Sequence, residues 1–169
     1  MSKKIAVLVT DMVEEIELTD PVEKFKEAGH SVDLLNVESG KELTGKNGDT
    51  FTIDKGIDEV KAEQYDALLV PGGFSPDLLR IDPKHAEFAH SFIANQKPVF
   101  AICHAPQFLI DTDLLKGVTL TSFISVRNDL RNAGANVKDE EVVVDRNIVT
   151  SRTPDDLDDF NNAIKEQLQ

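Results

Sequence analysis

The chain alternates between short apolar segments and segments in which apolar residues recur with helical spacing. Apolar runs predict strands at residues 5–9, 31–37, 67–70, 99–102 and 118–123. Helical spacing and helix-ending signals predict helices at residues 14–28, 83–96, 104–115, 126–133 and 155–168. Apolar strands without polar alternation, separated by helices, are typical of a parallel sheet covered on both faces. The pattern therefore predicts a mostly parallel α/β fold, with residues 1–169 forming one domain.

Two segments break this alternation and predict antiparallel pairs. Residues 142–144 and 148–150 are apolar and flank the polar residues 145–147, which are typical of a turn. Residues 40–54 are rich in glycine and polar side chains, and they predict a small β-hairpin outside the main alternation.

Composition and charge narrow the classes of function. The 169 residues are 40% hydrophobic, which is enough to bury a full core, and the net charge of −13 argues against a nucleic-acid partner. No apolar stretch approaches the roughly 20 residues that a membrane span requires. The N-terminal apolar run is short and is followed at once by acidic residues, so we interpret it as the first strand rather than a signal peptide. One unpaired cysteine fits a reducing compartment, and we expect a cytoplasmic protein.

That cysteine, Cys103, is the strongest candidate for chemistry. It follows the predicted strand at residues 99–102 and precedes a predicted helix, and Ala101 and Ala105 leave room for a sharp turn. At such a turn, the unpaired N–H groups of the new helix favour a thiolate and are expected to lower the pKa of the thiol. The alternative is an inert cysteine packed in the core, which is the commoner fate of a free cysteine.

Histidines are the natural partners of a reactive thiol. His104 is adjacent to Cys103 and could act as a base or as an imidazolium that stabilises the thiolate. His85 and His90 lie in a predicted surface helix, and His30 follows the glycine that ends the first helix. For these three we expect the ordinary role of an exposed histidine.

Two further segments stand at predicted strand ends. Pro71-Gly72-Gly73 follows the strand at residues 67–70, and its N–H groups, with those after Cys103, could form an oxyanion hole; the alternative is a tight turn. The acidic residues at the start of the first helix could simply complement the helix dipole. Glu17 could instead turn toward the sheet, where a carboxyl group in an apolar pocket would be protonated and could move protons at the sulfur.

The sequence carries no signal for a metal or a nucleotide cofactor. It lacks paired Cys or His ligand motifs, and no glycine-rich phosphate loop follows the first strand, where Thr10-Asp11-Met12-Val13 stands instead. We therefore predict no metal and no cofactor.

Several motifs together resemble the ThiJ/PfpI superfamily, within the glutamine-amidotransferase-like proteins. They are Glu14-Glu15-Ile16-Glu17-Leu18, the segment from Val70 to Asp77, Ala101-Ile102-Cys103-His104-Ala105-Pro106-Gln107, and the tail from Glu141 to Arg152. The resemblance covers essentially the whole chain and is nearest to PfpI-type intracellular proteases and bacterial general stress proteins. It implies a flavodoxin-like three-layer sandwich with a cysteine nucleophile elbow.

The same resemblance implies roles for individual residues. Cys103 is the reactive cysteine, Glu17 is the buried acid that touches its sulfur, and His104 is the histidine that follows the nucleophile. In PfpI-type proteases this histidine pairs with an acidic residue of a neighbouring subunit, at the position that Asp77 occupies here. The family assembles as dimers and sometimes hexamers, so a homo-oligomer is expected by similarity.

Three functions remain open from the sequence. The first is a stress enzyme that acts on small reactive aldehydes or glycated molecules, of the glyoxalase or deglycase type. The second is a cysteine peptidase with a triad of Cys103, His104 and Asp77 from a partner subunit. The third is a redox sensor in which peroxide oxidises Cys103 without a second cysteine to resolve the product.

Overall fold

A seven-stranded sheet forms the centre of the computed structural model, which describes residues 1–169. Its strands are β1 (Lys4–Leu8), β2 (Ser31–Asn36), β5 (Lys55–Gly56), β6 (Ala67–Val70), β7 (Val99–Ile102), β10 (Val142–Asp145) and β11 (Ile148–Ser151). They lie in the order β10-β11-β7-β6-β1-β2-β5. Only β10 runs antiparallel to its neighbour, while the other pairs are parallel. The predicted α/β fold with a mostly parallel sheet is confirmed.

Helices cover both faces of this sheet. They are α1 (Glu15–Glu27), α2 (Ser75–Leu79), α3 (Pro83–Ala94), α4 (Ala105–Phe108), α5 (Arg127–Asn132) and α6 (Leu157–Gln167). None of them combines the length and the apolar character that crossing a bilayer would need.

Side chains alternate between the two faces of each strand, so that the strands contribute residues to two separate hydrophobic clusters. In β1, Ala6 and Leu8 join a cluster of 25 buried residues, whereas Ile5 and Val7 join one of 18. The first cluster includes residues of α2 to α5, and the second includes residues of α1 and α6 together with Cys103. The sheet is therefore the middle layer of three.

The two predicted antiparallel excursions are also present. Strands β3 (Glu42–Thr44) and β4 (Thr50–Thr52) form a separate hairpin, and β10 pairs with β11 around Arg146, whose φ is 55°. The polar, glycine-containing loop between β3 and β4 spans residues 45–49 and contributes to the lining of the candidate site.

Two predicted elements are wrong in extent. The helix predicted at residues 104–115 is only the short α4 followed by a 3₁₀ turn at Leu109–Thr112. This helical segment ends where the Thr112 hydroxyl donates to the Leu109 carbonyl and Asp113 adopts a φ of 62°. The strand predicted at residues 118–123 shrinks to β8 (Thr119–Leu120), which pairs with β9 (Asn136–Val137). Beyond Leu120 the chain crosses toward the elbow, where the Phe123 N–H donates to the Cys103 carbonyl at 2.8 Å.

The prediction of an exposed His85 is wrong as well. Its side chain is 3% exposed, because the first turn of α3 faces the larger hydrophobic cluster, and its Nδ1 lies 3.0 Å from the Leu79 carbonyl. His90 is exposed, with its Nδ1 2.9 Å from the Thr112 carbonyl, and His30 accepts a hydrogen bond from the Lys3 N–H. None of these three histidines lines the cavity described below.

Candidate active site

Cys103 lies at the turn between β7 and α4 with a strained backbone. Its φ is 66°, in the left-handed region that residues with a side chain rarely adopt. Two backbone hydrogen bonds hold this conformation: the Cys103 N–H donates to the Ser151 carbonyl at 3.0 Å, and the Cys103 carbonyl accepts from Phe123. Strain of this kind persists only where the surroundings determine it, and it is frequent at functional sites. The predicted cysteine elbow is therefore present in the backbone.

Glu17 reaches the same place from α1. Its side chain is fully buried, and its Oε1 accepts a hydrogen bond from the Gly72 N–H at 2.9 Å. Its other oxygen, Oε2, is buried without a hydrogen-bond partner, and the carboxyl group lies beside the Cys103 side chain, both of them against Gly72. The first turn of α1 thus aims one of its acidic residues at the sulfur instead of at solvent.

The Gly72-Gly73 turn after β6 packs between the Glu17 carboxyl group and the Cys103 side chain. A Cβ at Gly72 would overlap Glu17 Oε1 and would lie 2.8 Å from the Cys103 Cβ, so no larger residue fits. Gly73 has a φ of 75° and pairs with Val13 in an antiparallel bridge. Close approach of the backbone, which only glycine permits, is the reason for this motif.

The predicted oxyanion hole needs one correction. The Gly72 N–H is committed to Glu17 Oε1, so it is not free to bind a developing oxyanion. The N–H groups of Gly73 and His104 face the sulfur and remain as the two donors that could serve this purpose.

Burial is the largest influence on the pKa values of Glu17 and Cys103. It raises the pKa of Glu17 to about 8, helped by the charge of Glu14 and opposed by the Gly72 N–H and the Lys46 ammonium. Burial, together with the charge of an ionised Glu17, raises the pKa of the Cys103 thiol to about 12. The expected lowering of this pKa is therefore not found, because loss of hydration outweighs the N–H groups of Gly73 and His104.

His104 lies against an aromatic wall. Its ring stacks on Phe123 with centroids 4.9 Å apart, and the Phe74 ring lies at 6.3 Å. Burial lowers the pKa of His104, and the charge of Lys46 lowers it further, while Asp77 acts in the opposite direction. A neutral imidazole at neutral pH can accept a proton, which suits a base rather than a permanent cation.

Asp77 is not brought into contact with His104 within the chain. It lies in α2 with an exposed side chain, and its carboxylate makes no hydrogen bond to the histidine. The cross-subunit pairing stays a prediction.

A cavity of about 290 Å³ opens above the sulfur. Its walls come from six places in the fold, most of them just beyond the carboxyl ends of parallel strands, where sites of such sheets are expected. The lining residues are Glu14, Glu17, Lys46, Gly73, Phe74, Cys103, His104, Phe123, Thr153 and Pro154.

Sequence reasoning missed Lys46, the cation of this cavity. It lies in the loop between β3 and β4, and its ammonium contacts the Glu14 carboxylate. Nothing in its sequence neighbourhood signals a site, because the loop reaches the cavity only through the docking of the hairpin. The aromatic walls Phe74 and Phe123 were missed for the same reason, since each belongs to a different loop.

No group of three or more His, Cys, Asp or Glu side chains is arranged to hold a metal ion.

Comparison with known proteins assigns the chain to a family. Residues 3–167 match the model of the DJ-1/PfpI family. A Bacillus subtilis protein named "Putative cysteine protease YraA" is 65% identical over 161 residues, which cover 95% of each chain.

Solved structures give the same result for the fold. The chain matches a two-domain protein from Anabaena variabilis, with DJ-1/ThiJ/PfpI-like and ferritin-like domains, with a TM-score of 0.95 and 40% identity. The match covers 98% of this chain and 48% of that longer one. Drosophila melanogaster DJ-1beta matches with a TM-score of 0.92 and 26% identity, covering 99% of this chain and 91% of its own.

Proposed function

Because the chain belongs to the DJ-1/PfpI family, we propose that it is a cytoplasmic cysteine enzyme of the stress response that acts on small reactive carbonyl compounds. In this proposal, Cys103 is the nucleophile, Glu17 moves the proton, and the activity is of the glyoxalase or deglycase type. The observation that carries the proposal is the fully buried Glu17 carboxyl, fixed by the Gly72 N–H beside the Cys103 thiol at the base of a small cavity.

The coupled protonation of Glu17 and Cys103 supports a joint role for the two groups in the reaction. With its pKa raised to about 8, Glu17 is mostly protonated at neutral pH and cannot repel a thiolate. When the pair loses one proton, the other is held between carboxyl and sulfur, and the form with a thiolate and a neutral acid is the nucleophile. Attack forms a carbon–sulfur bond, and the carboxyl proton passes to the carbonyl oxygen.

The size of the cavity favours a small substrate. At about 290 Å³ it lies at the low end of small-molecule sites, and an aldehyde of a few carbons needs no more. In this proposal, a neutral His104 at the cavity wall moves a proton between adjacent carbons of a bound 2-oxoaldehyde, as a glyoxalase requires.

The test is consumption of methylglyoxal by the wild type, Cys103→Ala and Glu17→Gln. We expect Cys103→Ala to fall to the uncatalysed rate and Glu17→Gln to lose about 100-fold or more, the usual value of a general acid–base group. Glu27→Gln, at an exposed position of the same helix, is the matched control and should keep the wild-type rate. Equal rates in all four proteins would remove the proposal.

A cysteine peptidase is the second candidate, and the name of the Bacillus subtilis relative favours it. Asp77 is exposed and uncommitted, so it is available to a His104 of a partner subunit. This candidate requires peptide cleavage that disappears in Asp77→Asn and in the isolated monomer. Absence of cleavage by an intact oligomer would eliminate it.

A further inference from the structure

Several hydrogen-bond donors surround the sulfur, and Glu14 contributes a carboxylate to the same cavity. The N–H groups of Gly73 and His104 face it, the Lys46 ammonium lines the cavity, and Glu17 offers a buried oxygen with no partner. From this arrangement we infer that the cavity selects small carbonyl compounds that carry a carboxylate, and that Lys46 binds this carboxylate. The inference rests on the proposed carbonyl chemistry and specifies the class of its substrate.

The hydrogen bonds of Glu17 indicate where its proton is. Oε1 accepts from the Gly72 N–H and therefore has no need of a proton, whereas Oε2 is buried without a partner. A neutral carboxyl group then carries its proton on Oε2. A buried donor left without an acceptor is costly, so a ligand oxygen or the sulfur is the expected partner.

Hydrogen bonds to Glu15 and Val13 hold the loop that carries Lys46 at the cavity. The buried Glu15 carboxylate accepts hydrogen bonds from the Asn47 N–H at 2.8 Å, the Asn47 Nδ2 at 3.1 Å and the Asp49 N–H at 3.3 Å. The Lys46 N–H donates to the Val13 carbonyl at 3.0 Å. The loop that carries the ammonium is thus fixed at Lys46 and at the residues that follow it.

Glu14 pairs with Lys46 but leaves some of its hydrogen-bond donors unused. An ammonium has three donors, and contact with one carboxylate leaves others for a ligand. The Lys46 side chain is 42% exposed, so a ligand can reach it from the cavity. The distant surface charge, −13 overall, acts weakly at this point because salt screens charges beyond about 8 Å at physiological ionic strength.

The chemical step balances without any added reagent. The thiolate sulfur bonds to the carbonyl carbon, the carbonyl π bond breaks, and the proton on Glu17 Oε2 passes to the carbonyl oxygen, which leaves Glu17 as a carboxylate. The product is a thiohemiacetal whose carboxylate stays beside Lys46. Lys46 exchanges no proton in this step and acts only on the charge of the ligand.

A pair of alkylating reagents of similar size tests the charge preference directly. Iodoacetate is anionic and iodoacetamide is neutral, so the ratio of their rates at Cys103, relative to free cysteine, measures the preference for anions. We expect this ratio to fall about fivefold in Lys46→Met and to stay within twofold in Lys46→Arg, since a single charge a few ångströms away has an effect of that order. Lys41→Met, an exposed lysine before the same hairpin, should leave the ratio unchanged.

Glyoxylate and methylglyoxal extend the test to carbonyl ligands. Each should protect Cys103 from iodoacetamide, and Lys46→Met should weaken protection by glyoxylate about fivefold while leaving that by methylglyoxal unchanged. An unchanged iodoacetate ratio in Lys46→Met would overturn the inference, whatever the turnover. Failure to consume methylglyoxal, with the ratio behaving as expected, would instead reject the proposed activity and support the charge preference.

Discussion

At the scale of single residues, Glu17 and Cys103 titrate as a pair. Burial raises the pKa of both groups, and ionisation of one opposes ionisation of the other. The first proton leaves near pH 8, because the carboxyl group is the stronger acid of the two. Reactivity of the thiol should therefore follow the ionisation of the pair rather than that of an isolated cysteine.

The first prediction concerns the pH dependence of Cys103 alkylation. In the wild type, the rate of reaction with iodoacetamide should rise with a midpoint near pH 8. Glu17→Gln has no carboxyl proton to lose, and burial keeps the thiol protonated, so the midpoint should move above pH 9. A midpoint below pH 7 in the variant would show that burial does not control the thiol.

The second prediction concerns Gly72. In Gly72→Ala the new Cβ would meet Glu17 Oε1, the Cys103 Cβ and the Ile102 carbonyl, and none of these can move freely. We expect the free energy of unfolding to fall by about 1–3 kcal/mol and alkylation of Cys103 to change markedly.

Gly40→Ala provides the control for this substitution. Gly40 has a φ of 78° with open space around it, so Gly40→Ala adds backbone strain without a steric overlap. We expect this strain to lower the free energy of unfolding of the variant by about 1 kcal/mol. Its alkylation rate should equal that of the wild type. If Gly72→Ala also alkylates at the wild-type rate, the close packing at the pair is unimportant.

At the scale of elements, an ion-pair network joins the end of β11 to the start of α6. Arg152 donates to both oxygens of the buried Asp156, through Nε at 2.9 Å and Nη2 at 3.1 Å. Its Nη1 contacts Asp139 at 2.9 Å, and Arg127 contacts the same carboxylate. Since Thr153 and Pro154 line the cavity between these anchors, the network also positions one cavity wall.

The third prediction follows from this network. Arg152→Met leaves the Asp156 carboxylate buried without its bidentate partner, and unfolding in urea should show a loss of about 2 kcal/mol. This is below the 3–5 kcal/mol of a fully buried pair, because Arg152 reaches solvent. Adding Asp156→Leu to the variant should restore part of the loss. A further loss in the double variant would contradict the argument.

At the scale of the whole molecule, the stability of the fold should depend on the ionisation of Glu17. Its pKa is about 8 in the folded chain against an ordinary value of 4.5, so the folded state binds the proton more tightly. The contribution of this group is fully present below pH 4.5 and is lost as the pH rises to 8. Glu15, Asp139 and Asp145, whose pKa values are lowered, act in the opposite direction at acidic pH.

The fourth prediction isolates this effect. Between pH 5.5 and 8.5, the wild type should lose a few kcal/mol of unfolding free energy relative to Glu17→Gln, on the order set by a shift of this size. Urea titrations of both proteins across that range measure the difference. Parallel pH profiles would mean that Glu17 is not held in its neutral form.

Much of the fold could be predicted from local patterns. The strands at residues 67–70 and 99–102 and the β10–β11 pair are where the apolar runs place them, and the β3–β4 hairpin is where the glycine and polar residues predict it. The helix predicted at residues 104–115 ends early, at a left-handed Asp113 beside a hydroxyl bond at Thr112, and neither feature disturbs helical periodicity. The burial of His85 was missed because periodicity does not reveal which turn of a helix meets the core.

What the sequence determined by itself was the layered α/β architecture and the position of Cys103 at a strand end, since apolar periodicity and turn residues act over a few neighbours. Only the tertiary structure decided which groups meet the sulfur. Glu17, Gly72 and Lys46 come from a helix, a turn and a hairpin that are distant along the chain. Their pKa values and their selectivity depend on burial and on distances that arise when these elements pack.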